Sequence, residues 1–158
     1  MEILDEEQYE KRPRAGLIPY ICGEDGVYRY LMMVSSNAKF GGPRPMISKG
    51  KIEAGEDTLQ CAIREAEEEL GLIQENLAGD PYQIADQRVV LRSGAYQLTV
   101  YAAAIKERWN FGMWCDETLH TEWHTLESFR EFGRKDHIQF IEMLDEILNN
   151  QNQSKGEL

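Results

Sequence analysis

Three glutamates, Glu65, Glu68 and Glu69, stand at positions i, i+3 and i+4. On a helix turning about 100° per residue, that spacing projects the three carboxylates from one side, over roughly a third of the circumference. Unscreened like charges so spaced destabilise a helix by a few tenths of a kcal/mol each, roughly, so the cluster calls for a compensating cation. Oxygen ligands of this kind favour Mg²⁺ or Mn²⁺ over zinc, which prefers His and Cys. Just upstream, Gly50-Lys51-Ile52-Glu53-Ala54-Gly55-Glu56 is a glycine-punctuated turn whose backbone can approach phosphate or metal closely. It is not a P-loop, because Gly55 is followed by Glu56 rather than by Lys and Ser/Thr.

Other side chains have chemistry to offer. Lys49 and Lys51 flank Gly50 and are placed to neutralise substrate phosphates, with plain surface charge as the alternative. Arg44, before Pro45, is a candidate of the same kind. His120 and His124 suggest zinc at first sight, but i,i+4 along a strand sets two residues about 13 Å apart. Trp109, Phe111 and Trp114 are suited either to stacking on a nucleobase or to a satellite core or dimer contact. Tyr20, Tyr28 and Tyr30 read as strand packing, and Glu67, off the face of the trio, as solvated.

The helix that must carry the trio is expected over 57–70, with Asp57 or Glu56 at its start and Gly71 just past its end. Leu59, Ala62, Ile63, Ala66 and Leu70 recur at helical spacing and define its buried face. Strands are expected over 14–22, where Pro19 implies an edge or a bulge, and over 27–34 after the Gly23-Glu24-Asp25-Gly26 turn. Residues 35–45 form a loop and 46–48 a short strand. Two more strands span 82–91 and 96–105, joined by Arg92-Ser93-Gly94-Ala95, and another spans 118–123. Residues 106–116 are a loop, and 126–132 and 137–149 are helices. These elements compose one domain over 1–149, followed by a polar, disordered tail over 150–158. The fold class is α/β (α+β): a mixed sheet sandwiched between helices.

The 158 residues suffice for one domain with a real core, and a 42% hydrophobic content excludes a disordered chain. A net charge of −11 argues against DNA or broad nucleic-acid binding through a basic surface. It also repels anionic substrates at long range unless bound divalent cations invert the field locally. The apolar stretches are strand-length, which excludes a membrane span, and the acidic N-terminus lacks a signal-peptide layout. Cys22, Cys61 and Cys115 lie far apart, as expected of reduced thiols in a cytoplasmic protein.

Gly50, Glu56, Arg64-Glu65-Ala66, Glu68-Glu69 and Gly71-Leu72 fill every position of G-x5-E-x7-R-E-U-x-E-E-x-G-U, where U is aliphatic. In this the chain resembles the Nudix hydrolases, metal-dependent enzymes that cut pyrophosphate bonds. The box covers residues 50–72, and the remaining layout agrees with that family's mixed sheet and helices. The resemblance implies that Glu65, Glu68 and Glu69, with the Gly50 carbonyl, bind catalytic Mg²⁺ or Mn²⁺. It implies that Glu56 and Arg64 pair across the loop–helix junction and hold the carboxylates in place. The metals would polarise phosphoryl oxygens, lower the pKa of bound water and align it for in-line attack at phosphorus. By the same resemblance a glutamate would take the proton, either Glu65 or one from a later loop, Glu117, with Asp116 and Glu107 as its rivals for that role.

The expected activity is hydrolysis of a nucleoside diphosphate linked to another moiety, an ADP-ribose-like compound or a dinucleoside polyphosphate. The MISKGKIEAGE stretch is similar to the PKG-x-x-E-x-GE approach of dinucleoside polyphosphate hydrolases and RNA pyrophosphohydrolases, but has Ser48 in place of proline. Arg88, Val89 and Val90 stand where ADP-ribose hydrolases carry a proline, or diadenosine polyphosphate hydrolases a tyrosine. The alternatives are pyrophosphate removal from RNA 5′ ends and a non-catalytic nucleotide sensor that keeps the fold. The partner is a small nucleotide diphosphate derivative, and the chain is expected to be a monomer or a homodimer.

Overall fold

The computed structural model describes residues 10–37, 43–107 and 118–156. Strands β1 (Arg14–Cys22) and β2 (Tyr28–Ser35) run antiparallel across the Gly23–Gly26 turn, with Tyr20 opposite Tyr30. Strand β3 (Ser48–Lys51) lies antiparallel to the start of β1, setting Gly50 opposite Ala15. Strands β4 (Tyr82–Leu91) and β5 (Gly94–Ala104) close a tight hairpin with Leu91 opposite Gly94. β5 then runs parallel to β1, and β6 (Thr118–His124) pairs antiparallel with β2. The result is a six-stranded mixed sheet of order β4-β5-β1-β2-β6, with β3 attached to β1.

Helix α1 (Thr58–Leu70) covers one face, and α2 (Leu126–Phe132) with α3 (Ile138–Gly156) covers the other. Along β1, Ala15 and Leu17 join Ala62, Ala66 and Leu70 of α1 in one cluster. Ile18 faces the opposite way, toward Phe129 of α2 and Phe140, Ile141 and Leu144 of α3. β2 alternates likewise, Leu31 and Met33 toward α1, Tyr30 and Met32 toward α3. Burial on both sides explains why its sequence is an unbroken apolar run rather than an alternating one. This is the expected architecture, a mixed sheet between helices.

Four local expectations are corrected. Pro19 lies in a central strand, not at an edge. Ile105 N–H donates to the Tyr20 carbonyl, so Pro19, one residue back, turns its nitrogen to the other flank. On that flank the partner of β1 passes from β3, at Arg14 to Leu17, to β2, at Tyr20 to Cys22, so the missing donor breaks no ladder. The short strand expected at 46–48 sits later, so Gly50 belongs to a strand rather than to a turn. Ile63 is only half-buried and Cys61 takes its place in the core of α1. Helix α3 continues to Gly156, well into the stretch expected to be a disordered tail.

Among the described residues no helix is long and apolar enough to cross a membrane.

Candidate active site

The site is built where α1 crosses β3. Asp57 caps the helix by accepting from Gln60 N–H at 2.7 Å, while Gln60 Oε1 accepts from Asp57 N–H at 2.9 Å. At the other end Gly71 takes the left-handed conformation at φ 70° and donates to the Glu67 carbonyl. The caps set the ends of the helix, and Ala62, Ala66 and Leu70 packed on Ala15 and Leu17 set its phase, which turns two of the three glutamates inward. Glu65 is 8% exposed and Glu69 5%, whereas the Glu68 side chain, about 100° further round from Glu69, is 49% exposed. The trio expected to share one face divides into a buried pair and a rim residue.

Beneath the pair runs β3. A Cβ on Gly50 would overlap the Glu65 carboxylate, so any larger residue there would push that carboxylate from its place. Glu69 Oε1 accepts from Lys49 N–H at 2.9 Å and from Ser48 Oγ at 3.1 Å. Burial, and then the neighbouring Glu65 carboxylate, push the Glu69 carboxyl up to about 8, against the opposing pull of Lys49.

Arg64 gathers the other acids. Its Nε and Nη2 grip Glu56 at 2.8 and 3.0 Å, and Nη1 donates to Glu65 Oε1 at 2.9 Å and approaches Glu68 Oε2 at 3.3 Å. Nη2 also donates to the Lys51 carbonyl at 3.1 Å, tying helix to strand. The guanidinium holds the Glu56 carboxyl down at about 2, helped by Glu53 N–H.

The residues fit a hard divalent cation in kind. Every candidate donor is oxygen, two carboxylates are buried, and burial, with the repulsion of Glu65 added to it, keeps a proton on Glu69 where a cation could sit. Among the described residues no three acidic, histidine or cysteine side chains already form a cage, and Arg64 is the cation that Glu65 and Glu68 meet here. The Gly50 carbonyl accepts weakly from the Cys61 thiol at 3.4 Å.

The remaining candidates scatter. Lys49 lies over the Tyr96 ring at 5.6 Å, and burial, then Arg14 and Arg134, pull its amine down to about 8. Lys51 is exposed, as is Arg44, which joins none of these contacts. Glu107 is exposed after β5, while Glu117, Asp116, Trp109, Phe111 and Trp114 lie outside the described residues. His120 and His124 both turn to Glu122, each at 2.7 Å, despite their separation along the strand.

Sequence reasoning missed Ser48, and it missed Arg14, Tyr96, Arg134 and His137 around Lys49. Ser48 could have been found by its place beside Lys49. The others come from distant stretches that only the sheet topology brings together.

A NUDIX domain family model matches residues 11–144. The chain therefore belongs to the NUDIX domain family, a family of pyrophosphohydrolases. No curated protein matches it by sequence. Among solved structures it is similar to a C. elegans Ap4A hydrolase in a binary complex, at 18% identity and a TM-score of 0.73, covering 89% of this chain and 99% of that one. It is also similar to the NUDIX domain of Shewanella oneidensis NrtR complexed with ADP ribose, at 17% identity and a TM-score of 0.72, covering 89% and 90%. The Nudix hydrolase RenU from M. smegmatis matches at 16% identity and a TM-score of 0.67, covering 90% and 89%. At these identities the likeness is one of fold.

Proposed function

We propose that this chain hydrolyses a pyrophosphate bond in a nucleoside diphosphate linked to another moiety, with an ADP-ribose-like compound or a dinucleoside polyphosphate as substrate, using Mg²⁺ or Mn²⁺. The observation that carries the reading is the buried Glu65–Glu69 pair over Gly50, clamped from outside by the Arg64–Glu56 fork. Two acids buried together destabilise an apo protein and make sense as a site that a cation completes. The family is in general divalent-metal dependent, in keeping with this. One of the similar structures is an Ap4A hydrolase and another holds ADP ribose, which supports the substrate class.

In this reading Glu65, Glu69 and the rim residue Glu68, with the Gly50 carbonyl, hold the ion. A divalent cation bound there would neutralise charge on the phosphoryl oxygens and acidify an attacking water. Arg64 and Glu56 set the positions of the carboxylates, and Lys49 offers positive charge to the substrate phosphates. Glu65, or an acid of the 107–117 segment, takes the proton from water. A non-catalytic sensor would be expected to lack box carboxylates, and none is lacking here.

The test is a panel of nucleoside diphosphate derivatives with Mg²⁺ or Mn²⁺, with products separated by chromatography. Nucleotide hydrolysis that is abolished by chelation is expected. Full turnover in excess EDTA would overturn the assignment.

A further inference from the structure

We infer that Arg14, Lys49 and Arg134, with the Tyr96 hydroxyl and the His137 ring, form a phosphoryl-binding pocket that shares a wall with the carboxylate pair. It takes a phosphate of the substrate other than the one attacked, and in this it rests on the hydrolase reading above.

The pocket is assembled from four places in the chain. Arg14 opens β1, with its guanidinium carbon 4.6 Å from the Tyr96 ring centroid, and Lys49 of β3 lies over the same ring at 5.6 Å. Arg134 follows α2. Its N–H is fixed to the Pro45 carbonyl at 2.8 Å and its Nε to Asp136 Oδ1 at 2.7 Å. Arg14 and Arg134 both lie close enough to Lys49 to act on its charge. Among the described residues, Glu69 and Asp136 are the carboxylates that act on Lys49, and Arg134 holds Asp136 directly. Three cations gathered around Asp136 and Glu69 stand out in a chain of net charge −11. A bound anion would relieve the repulsion among them.

Its hydrogen bonding is incomplete in a directed way. The His137 ring is fully buried, and Ile47 N–H donates to its Nδ1 at 3.1 Å. That bond requires a lone pair on Nδ1, so the proton of the neutral ring sits on Nε2. Burial, then Lys49 and Arg134, hold the ring neutral. Nε2–H has no acceptor: Asp136 Oδ2, itself unpartnered, is 3.7 Å away. The Tyr96 hydroxyl and Arg14 Nε–H are buried without partners as well. Buried donors left unmade are costly, and three in one cationic cluster call for a ligand with several acceptor oxygens. A phosphate within a polyphosphate chain offers two charged oxygens besides its bridging ones and suits a guanidinium fork.

The placement gives the pocket its use. Lys49 reaches into it with its side chain while its backbone N–H binds Glu69 Oε1 at 2.9 Å. One residue thus joins the cationic pocket to the carboxylates. A polyphosphate lying across Lys49 would present one phosphorus to Glu65 and Glu69 and rest its neighbour among Arg14, Arg134 and His137.

Arg14→Gln and Arg134→Gln test this, with Arg14→Lys as the charge-keeping rescue and circular dichroism as the check on folding. Inorganic pyrophosphate is titrated into each protein in EDTA by calorimetry, and KM, kcat and the Mg²⁺ dependence are measured on the best nucleotide. Wild type is expected to bind pyrophosphate without metal. Each Gln variant should lose about tenfold or more of that affinity and raise KM to a similar extent, with kcat and the Mg²⁺ titration nearly unchanged. Arg14→Lys should recover part of the loss. No pyrophosphate binding by wild type in EDTA, or a KM unmoved by either Gln variant while hydrolysis proceeds, overturns the pocket and leaves the hydrolase reading intact. Pyrophosphate bound through Arg14 and Arg134 by a chain that hydrolyses no nucleotide overturns the hydrolase reading and upholds the pocket.

Discussion

Arg64 divides one guanidinium among Glu56, Glu65, Glu68 and the Lys51 carbonyl. A lysine could not do this, because a single ammonium lacks the planar fork that grips Glu56 twice while reaching two further acids. Arg64→Ala should therefore leave the core largely intact, since apart from a long contact to the Cys61 thiol the side chain holds rim acids and strand backbone. It should free Glu56 and let Glu65 and Glu68 drift from the positions in which a cation would find them. Losses of this kind cost about 10–100-fold in metal affinity or activity. Mn²⁺ titration and turnover, each compared with wild type, measure the effect. A variant with both unchanged would show that the clamp is ornamental.

At the scale of elements, α1 was the most legible part of the chain. Its signals are local: Asp57 at the cap, Gly71 at the exit, small apolar residues on one side. Asp57→Ala removes the acceptor of the Gln60 bond and half of the capping box. A lost N-cap costs about 1 kcal/mol, which in a domain of this size lowers the melting temperature by about 2–4 °C. Scanning calorimetry measures it, and an unchanged Tm would mean that packing alone sets the helix start. Legibility fell off where the deciding contact is distant in sequence. Pro19 looked like an edge residue because nothing nearby reveals that β1 exchanges partners beside it. The three glutamates looked equivalent because periodicity gives an angle between side chains, not where the sheet lies; β3 buries Glu65 and Glu69 and leaves Glu68 at the rim. Helix α3 outran its expected end because its polar residues carry no stop signal that propensity alone would respect. The cationic pocket draws on residues as far apart as Arg14 and His137, beyond the reach of any local pattern.

For the molecule as a whole, a metal held at the buried Glu65–Glu69 pair would link folding, protons and ion binding. In the folded apo protein Glu69 keeps its proton up to about 8, whereas an unperturbed glutamate loses it near 4.5. The folded state thus holds more protons than the unfolded state across that interval. The stability this group contributes is complete below about 4.5 and is lost as the pH rises toward about 8. Glu56 works in the opposite sense, its contribution present above about 4.5 and lost as the pH falls toward about 2. A cation that needs Glu69 ionised must displace its proton, so Mg²⁺ should bind more tightly as the pH rises and should release a proton on binding below about pH 8. Bound metal stabilises by mass action, so its effect on melting temperature should be larger near pH 8 than near pH 6 at one fixed Mg²⁺ concentration. Lys49 titrates at the top of that window. The difference between wild type and Glu69→Gln therefore carries the result, since the amide cannot titrate. The variant's apo protein should lose the decline in stability between about pH 6 and about pH 8, and its Mg²⁺ shift should be small at both. Equal Mg²⁺ shifts at the two pH values in wild type, or an undiminished pH dependence in Glu69→Gln, would show that this carboxyl is not where proton and metal compete.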